Sequence, residues 1–172
     1  MFIRTKKIKG QDYAYLVENK WTKKGTRQKV KAYLGRVVDV KLQRDVDFSL
    51  GSEGSAKNIT KALVKWELLR HGFEENKCLI PRRTVIAKDN IIINLRKLSI
   101  QSKGRDVVLR LNEGFMCSHS LKHLLRFKSY GEEDEVGVEL ATAYAEAGIM
   151  IPKELFIEIY QKVFNKKQSR MK

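Results

Sequence analysis

Cysteine is scarce: Cys78 and Cys117 are the only two among 172 residues, too few for a disulfide framework. Reduced, buried thiols in a reducing compartment are the expectation. Long apolar runs are missing too. The longest are stretches such as Ile91-Ile92-Ile93, far short of the ~20 residues that a membrane helix needs. Charges stand near the N-terminus where a secretory signal would have its apolar region, so a cytoplasmic location with no membrane contact is expected. The chain contains no C-x-x-C, G-x-G-x-x-G, G-x-x-x-x-G-K-[ST] or G-x-S-x-G. Nucleotide hydrolysis and serine-hydrolase chemistry therefore have no anchor. Internal repeats and extended low-complexity segments are absent as well.

Acidic residues are missing from one particular place. Residues 1–36 hold 11 Lys/Arg against 2 acids, residues 37–130 hold 18 against 10, and residues 131–172 hold 6 against 8. More than half of the net charge of +15 thus falls on about a fifth of the chain. Such a gradient predicts a polyanion-binding end and a nearly neutral end; simple solubility is the bland alternative.

The basic end has a strand pattern. Phe2 to Ile8, Tyr13 to Val17 and Lys29 to Val37 read as a three-stranded antiparallel meander, with Lys9-Gly10-Gln11-Asp12 and Lys23-Lys24-Gly25-Thr26 as its turns. Alternation puts Ala14, Leu16, Val30, Ala32 and Leu34 on an inner face, and Tyr13, Tyr15, Lys29, Lys31 and Tyr33 on the other, with Arg27 just outside it. Cations neutralise phosphates while tyrosine rings stack on unpaired bases. The expected nucleic-acid contacts are therefore Arg4, Lys6, Lys7, Tyr13, Tyr15, Lys23, Lys24, Arg27, Lys29, Lys31, Tyr33 and Arg36. Alternatively the tyrosines pack inside against a following helix and leave only the lysines outside. Trp21, near the hairpin tip, poses the same choice.

Three segments, Tyr13-Ala14-Tyr15-Leu16-Val17-Glu18-Asn19, Gly25-Thr26-Arg27-Gln28-Lys29 and Tyr33-Leu34-Gly35-Arg36, come in a familiar order and spacing. They resemble the N-terminal β-module that precedes the catalytic domain of DDE-type insertion-sequence transposases. The match covers residues 1 to about 40, and nothing beyond it resembles the catalytic core. The whole chain is also similar to short archaeal proteins of unknown function. Either resemblance implies contact with nucleic acid, and neither implies a reaction.

Beyond Val38 the composition turns acidic and glycine-rich through Asp45, Asp47, Gly51, Glu53 and Gly54, which predicts a boundary near residue 50. Ser55 suits the N-cap of a helix over Ala56 to His71, with Trp66 inside and Gly72 as the C′ residue against which Phe73 packs back. Its outward Lys57, Lys61, Lys65 and Arg70 either extend the basic surface or form an ordinary solvated face. Cys78 to Phe115 reads as β: Leu79-Ile80 before Pro81, Thr84 to Ala87, Ile91 to Ile100 and Arg105 to Leu111, with turns at Asp89-Asn90 and Ser102-Lys103-Gly104. The runs Ile91-Ile92-Ile93 and Val107-Val108-Leu109 suggest strands covered on both faces. Arg82-Arg83 and Arg96-Lys97 are loop or edge charges, or phosphate contacts.

Three helices should follow. The first runs from Ser118 with Leu121, Leu124, Leu125 and Phe127 on one side, up to an acidic loop at Gly131 to Glu135. The second spans Val136 to Ala147. The third starts at Pro152, with an apolar stripe of Leu155, Phe156, Ile159, Tyr160, Val163 and Phe164 that must be covered by the fold or by another chain. Cys117, His119 and His123 suggest a metal site only weakly, because Ser120 stands where H-E-x-x-H has its acid. Asp89, Asp106 and Glu113 do not form the acid set of a metal-dependent nuclease.

The sequence thus predicts an α+β protein: a basic β-meander at 1–50, an α+β domain at 55–165 whose mixed sheet has one helix before it and three after it, and a basic tail at 166–172. The expected function is non-enzymatic nucleic-acid binding, to DNA or RNA, with no cofactor or metal. A nuclease or transposition-related factor, and an assembly factor that binds or self-associates through the C-terminal helix, are the alternatives.

Overall fold

The computed structural model describes residues 1–48, 55–75, 85–128 and 132–171, the last stretch from 164 by its backbone alone. The expected boundary near residue 50, Cys78, Leu79-Ile80, Pro81, Arg82-Arg83, Thr84 and Gly131 lie outside the described residues, as does the side chain of Phe164. The meander is β1 (Phe2–Ile8), β2 (Gln11–Thr22) and β3 (Gly25–Asp39). There follow α1 (Ala56–Arg70), β4 (Glu74–Glu75), β5 (Val85–Lys88), β6 (Ile91–Asn94), β7 (Ser99–Ser102), β8 (Arg105–Leu111), β9 (Gly114–Met116), α2 (Ser118–Leu125), α3 (Glu133–Glu146) and α4 (Lys153–Met171). The fold is α+β.

Among the described residues the strands form one mixed sheet in the order β1-β2-β3-β8-β7-β6-β5-β4, with β9 also on β8. The meander joins the rest through one parallel ladder of four pairs, from Arg36 opposite Val107 to Asp39 opposite Arg110. A parallel pair needs a long crossover, and here the crossover contains α1 and β4 to β7. The basic module is therefore part of the same sheet as the apolar half.

Helices cover one face of the β5–β9 half. Leu63 and Leu68 of α1, Leu121 of α2, Tyr144 of α3 and Ile159 of α4 bury against Ile86, Ile93, Ile100, Leu109 and Leu111. A smaller cluster of Ala14, Val37, Val108 and Cys117, with Ile3, Leu34 and Phe115 at its margin, fills the opposite face where the two halves meet. In β8, Val107 and Leu109 go to the main core and Val108 to the small one, so this strand is covered on both faces, as its unbroken apolar run implies. Ile92 is 54% exposed, so the same expectation fails for Ile91-Ile92-Ile93, whose strand is covered on one side only.

Local signals account for most element ends. After α1, Gly72 takes φ +79°, its N–H bonding the Leu69 carbonyl at 3.0 Å and that of Phe73 the Leu68 carbonyl at 3.1 Å, a Schellman-type stop with Phe73 buried. Ile91 to Ile100 is not one strand. The Asn94 side chain accepts N–H bonds from Arg96 at 3.0 Å and Lys97 at 2.9 Å, bending the chain into a hairpin and placing Arg96-Lys97 at its turn. Trp66 is only partly buried, because it sits beneath the incoming chain rather than in the centre: its indole N–H donates to the Val46 carbonyl and its ring meets Phe48 edge-on at 5.4 Å. The apolar stripe of α4 packs on the main core, with Ile159 buried and Leu155, Phe156, Tyr160 and Val163 partly so. The helix continues to Met171, through the stretch read as a tail. No described helix is long and apolar enough to cross a membrane.

Candidate nucleic-acid interface

β1 pairs with β2 only as far as Phe2 opposite Val17, and β8 pairs with β3 only from Arg36 onward. Between these limits β2 and β3 continue alone as a two-stranded ribbon, from Glu18 opposite Lys29 to Thr22 opposite Gly25. Five residues beyond Val17 at roughly 3.3 Å each make an arm of about 17 Å. From Asn19 to Tyr33 every residue except Gly25 is exposed. Lys23-Lys24 form the tip, where the Thr22 hydroxyl donates to the Gly25 carbonyl at 2.7 Å and accepts the Lys24 N–H at 3.3 Å.

Two β-bulges sort the side chains differently from simple alternation. The β2–β3 register shifts between Ala14 and Tyr15 and again between Leu16 and Val17, and each extra residue in β3 reverses which face the next residue takes. Tyr15 therefore lies opposite Tyr33, and Tyr13 opposite Arg36. The rings pack on one another, Tyr15 on Tyr33 at 5.5 Å and Tyr13 on Tyr33 at 6.3 Å between centroids, and none of them joins the main core. Opposite pairs share a face, so Arg4 (opposite Tyr15) and Lys6 (opposite Tyr13) belong with the tyrosines, whereas Lys7 lies with Asp12 on the other side.

Lys29 does not share the tyrosine face; it lies opposite Glu18. Lys31 is the bulged residue, with its ammonium 2.9 Å from the Glu18 carboxylate. Val30, expected inside, is 58% exposed, because the second bulge turns it away from Leu16 and no element of the described residues covers the arm. Ala32 is also exposed, and Leu34 is half-buried beside the small cluster. A glycine within a strand signals such irregularity, and Gly35 in Tyr33-Leu34-Gly35-Arg36 was that signal.

The arm's electrostatics are one-sided. Lys20, Lys23, Lys24, Arg27, Lys29, Lys31 and Arg36 lie between Glu18 and Asp39 with no acid among them. Lys20 stands directly opposite Arg27, a like-charge pair that destabilises a free ribbon and that a polyanion would relieve. Arg4 reaches across β2 to the side-chain oxygen of Gln28. Partial desolvation, and then Tyr13 and Tyr15, raise the Tyr33 hydroxyl above the ordinary phenol range. The Lys31 ammonium holds Glu18 below the usual carboxylate range. Replacing Glu18 by Gln should release Lys31 to a phosphate, steepening the slope of log affinity against log salt by about 0.7 to 0.9; an unchanged slope would show that Lys31 stays out of the interface.

At the end of β2 and β3 away from the arm, where the meander joins β8, Arg110 of β8 donates to Asp12 of β2 at 2.9 Å and to Asp39 of β3 at 2.8 Å. The Asp12 hydrogen bond is the larger cause of the raised Arg110 pKa. This latch borders an open polar cleft of about 460 Å³ lined by Lys7, Gln11, Asp12, Arg36 and Asp39. No local pattern pointed to it, since the three charges lie far apart in the chain.

Of the other candidate residues, Cys117 has a structural role. Cys117 caps α2, its Sγ accepting the Ser120 N–H at 3.5 Å while the Ser120 hydroxyl accepts the Cys117 N–H at 2.8 Å. His119 is held below its ordinary pKa by burial first and by His123 second. Among the described residues no three His, Cys, Asp or Glu side chains come together as a metal-ion site. Asp89 lies at the β5–β6 turn, Asp106 in β8 and Glu113 at the β8–β9 turn.

Comparison of the chain with protein-family models, curated proteins and solved structures finds no match.

Proposed function

We propose that this is a non-enzymatic nucleic-acid-binding protein that grips the phosphate backbone with its β-ribbon arm and the neighbouring cations of β1. The observation that carries the reading is the exposed, two-stranded arm with its uninterrupted run of cations between Glu18 and Asp39. A two-stranded ribbon is marginally stable by itself, and like charges facing each other weaken it further. Such a charge pattern is unfavourable for the free fold and favourable against a polyanion.

If about five cations touch phosphates, log affinity should fall against log salt with a slope of about −3.5 to −4.5. Replacing Lys23, Lys24 and Arg27 together by Ala should flatten that slope by about 2 to 3, with little change in melting temperature, because these residues are exposed. Titrations of a labelled oligonucleotide at several salt concentrations measure both. Salt-insensitive binding by the unaltered chain would sink the proposal.

A further inference from the structure

Trp21 is the most exposed large apolar side chain of the protein's described residues, at 86%, and the phosphate grip leaves it unused. It projects from the arm opposite Thr26, and its neighbours on that ribbon face are Asn19 and Gln28, themselves an opposed pair. Of the arm's own cations, Lys20 and Arg27 stand on the opposite face and Lys23-Lys24 at the tip, while Arg4 of β1 reaches this face at the Gln28 side chain. An indole surrounded by uncharged hydrogen-bonding groups and edged by cations has the composition of a base-stacking site beside a backbone grip. Tryptophan, with an apolar ring and a polar N–H, is enriched at interfaces, and the surrounding charge says that its partner is anionic.

We infer that Trp21 stacks on an unpaired base of single-stranded nucleic acid, while Asn19, Thr26 and Gln28 meet the base edges and the arm's cations hold the adjoining backbone. This deepens the phosphate-grip reading and rests on it. Single strands are favoured over duplex because insertion between paired bases costs unstacking energy, whereas an unpaired base offers its face freely. The tyrosine cluster lies on the same ribbon face. Tyr15 is six residues from Trp21, about 20 Å along the strand, so a strand leaving Trp21 toward the root of the arm meets further rings, together with Arg4 and Lys6.

The protein contains two tryptophans, Trp21 and Trp66, so Trp66→Phe leaves Trp21 as sole reporter. That variant is titrated with a short single-stranded DNA, the matching RNA, the DNA as a duplex, and inorganic polyphosphate, which has charge but no bases. Quenching of Trp21 by the single strands, with polyphosphate bound and emission unchanged, is the expected result; DNA and RNA then rank by affinity. Trp21→Ala should lose about 5- to 150-fold in single-strand affinity, with polyphosphate affinity and melting temperature unchanged. If Trp66→Phe fails to fold, the difference in quenching between the full chain and Trp21→Phe reads the same indole. Single-strand binding without quenching, or equal losses for polyphosphate, would overturn the stacking role and leave the phosphate grip standing. Failure to bind any of the polyanions at low salt overturns both. A blue shift with anionic phospholipid vesicles, and no quenching by oligonucleotides, overturns it in favour of a lipid surface.

Discussion

Replacing Glu67 by Ala should lower the stability by about 3 to 5 kcal/mol, the size expected when one partner of a buried ionic network is removed. The Glu67 side chain is fully buried in α1. One carboxylate oxygen accepts the Asn112 side-chain N–H at 3.1 Å and the other the Met150 backbone N–H at 3.3 Å. The Arg70 guanidinium lies 3.6 Å away and the His71 ring nitrogen 3.3 Å away. Asn112, at the β8–β9 turn, also donates to the Gly148 carbonyl at 2.8 Å. One carboxylate thus fastens α1, a hairpin turn and the connection from α3 to α4. Truncation leaves several buried donors without an acceptor, each costing about 1 to 3 kcal/mol. In a chain of this size the melting temperature should fall by about 6 to 20 °C. A loss below about 1 kcal/mol, measured by denaturant unfolding, would show that the network is dispensable.

Gly35→Ala should be comparably damaging, at about 2 to 6 kcal/mol. Gly35 has φ +133°, and a Cβ there would stand 2.4 Å from the Asp106 carbonyl oxygen and 3.0 Å from the Val107 Cα. Both obstacles are backbone and cannot swing aside. The site adjoins the four pairs of the β3–β8 ladder, which among the described residues is the one strand pairing that ties the meander to the apolar half. Gly10→Ala is the control, because φ there is +83° but the space is open; it should cost only the conformational penalty of about 1 to 2 kcal/mol. Unfolding curves for the two variants decide the matter, and equal losses would mean that the seam yields without difficulty.

The sequence made the elements legible where period, caps and turns agreed. The meander, the stop of α1 at Gly72 and the three C-terminal helices follow from local chemistry. Glu67 was not legible, because its partners come from residues 112 and 150, which no local window connects. Facing along β3 was misread for a definite reason. Period-two reasoning assumes an unbroken ladder, and the bulge at Lys31 moved Lys29 and Val30 to faces opposite those that alternation assigns. The parallel β3–β8 contact depends on a crossover of five elements, α1 and β4 to β7, and so leaves no mark on either strand.

Among the described residues β1 forms one outer edge of the sheet, and an unpaired edge is a template on which a second chain can add a strand. Arg4, Lys6 and Lys7 in this seven-residue strand set charge along it, guarding against aggregation whether or not they also touch phosphate. Cations of the arm and cations of the edge therefore differ in what their removal exposes. Neutralising Lys23 or Arg27 subtracts charge from a projecting ribbon, whereas neutralising Lys6 and Lys7 uncovers an adhesive border, so that lost solubility there would masquerade as lost affinity.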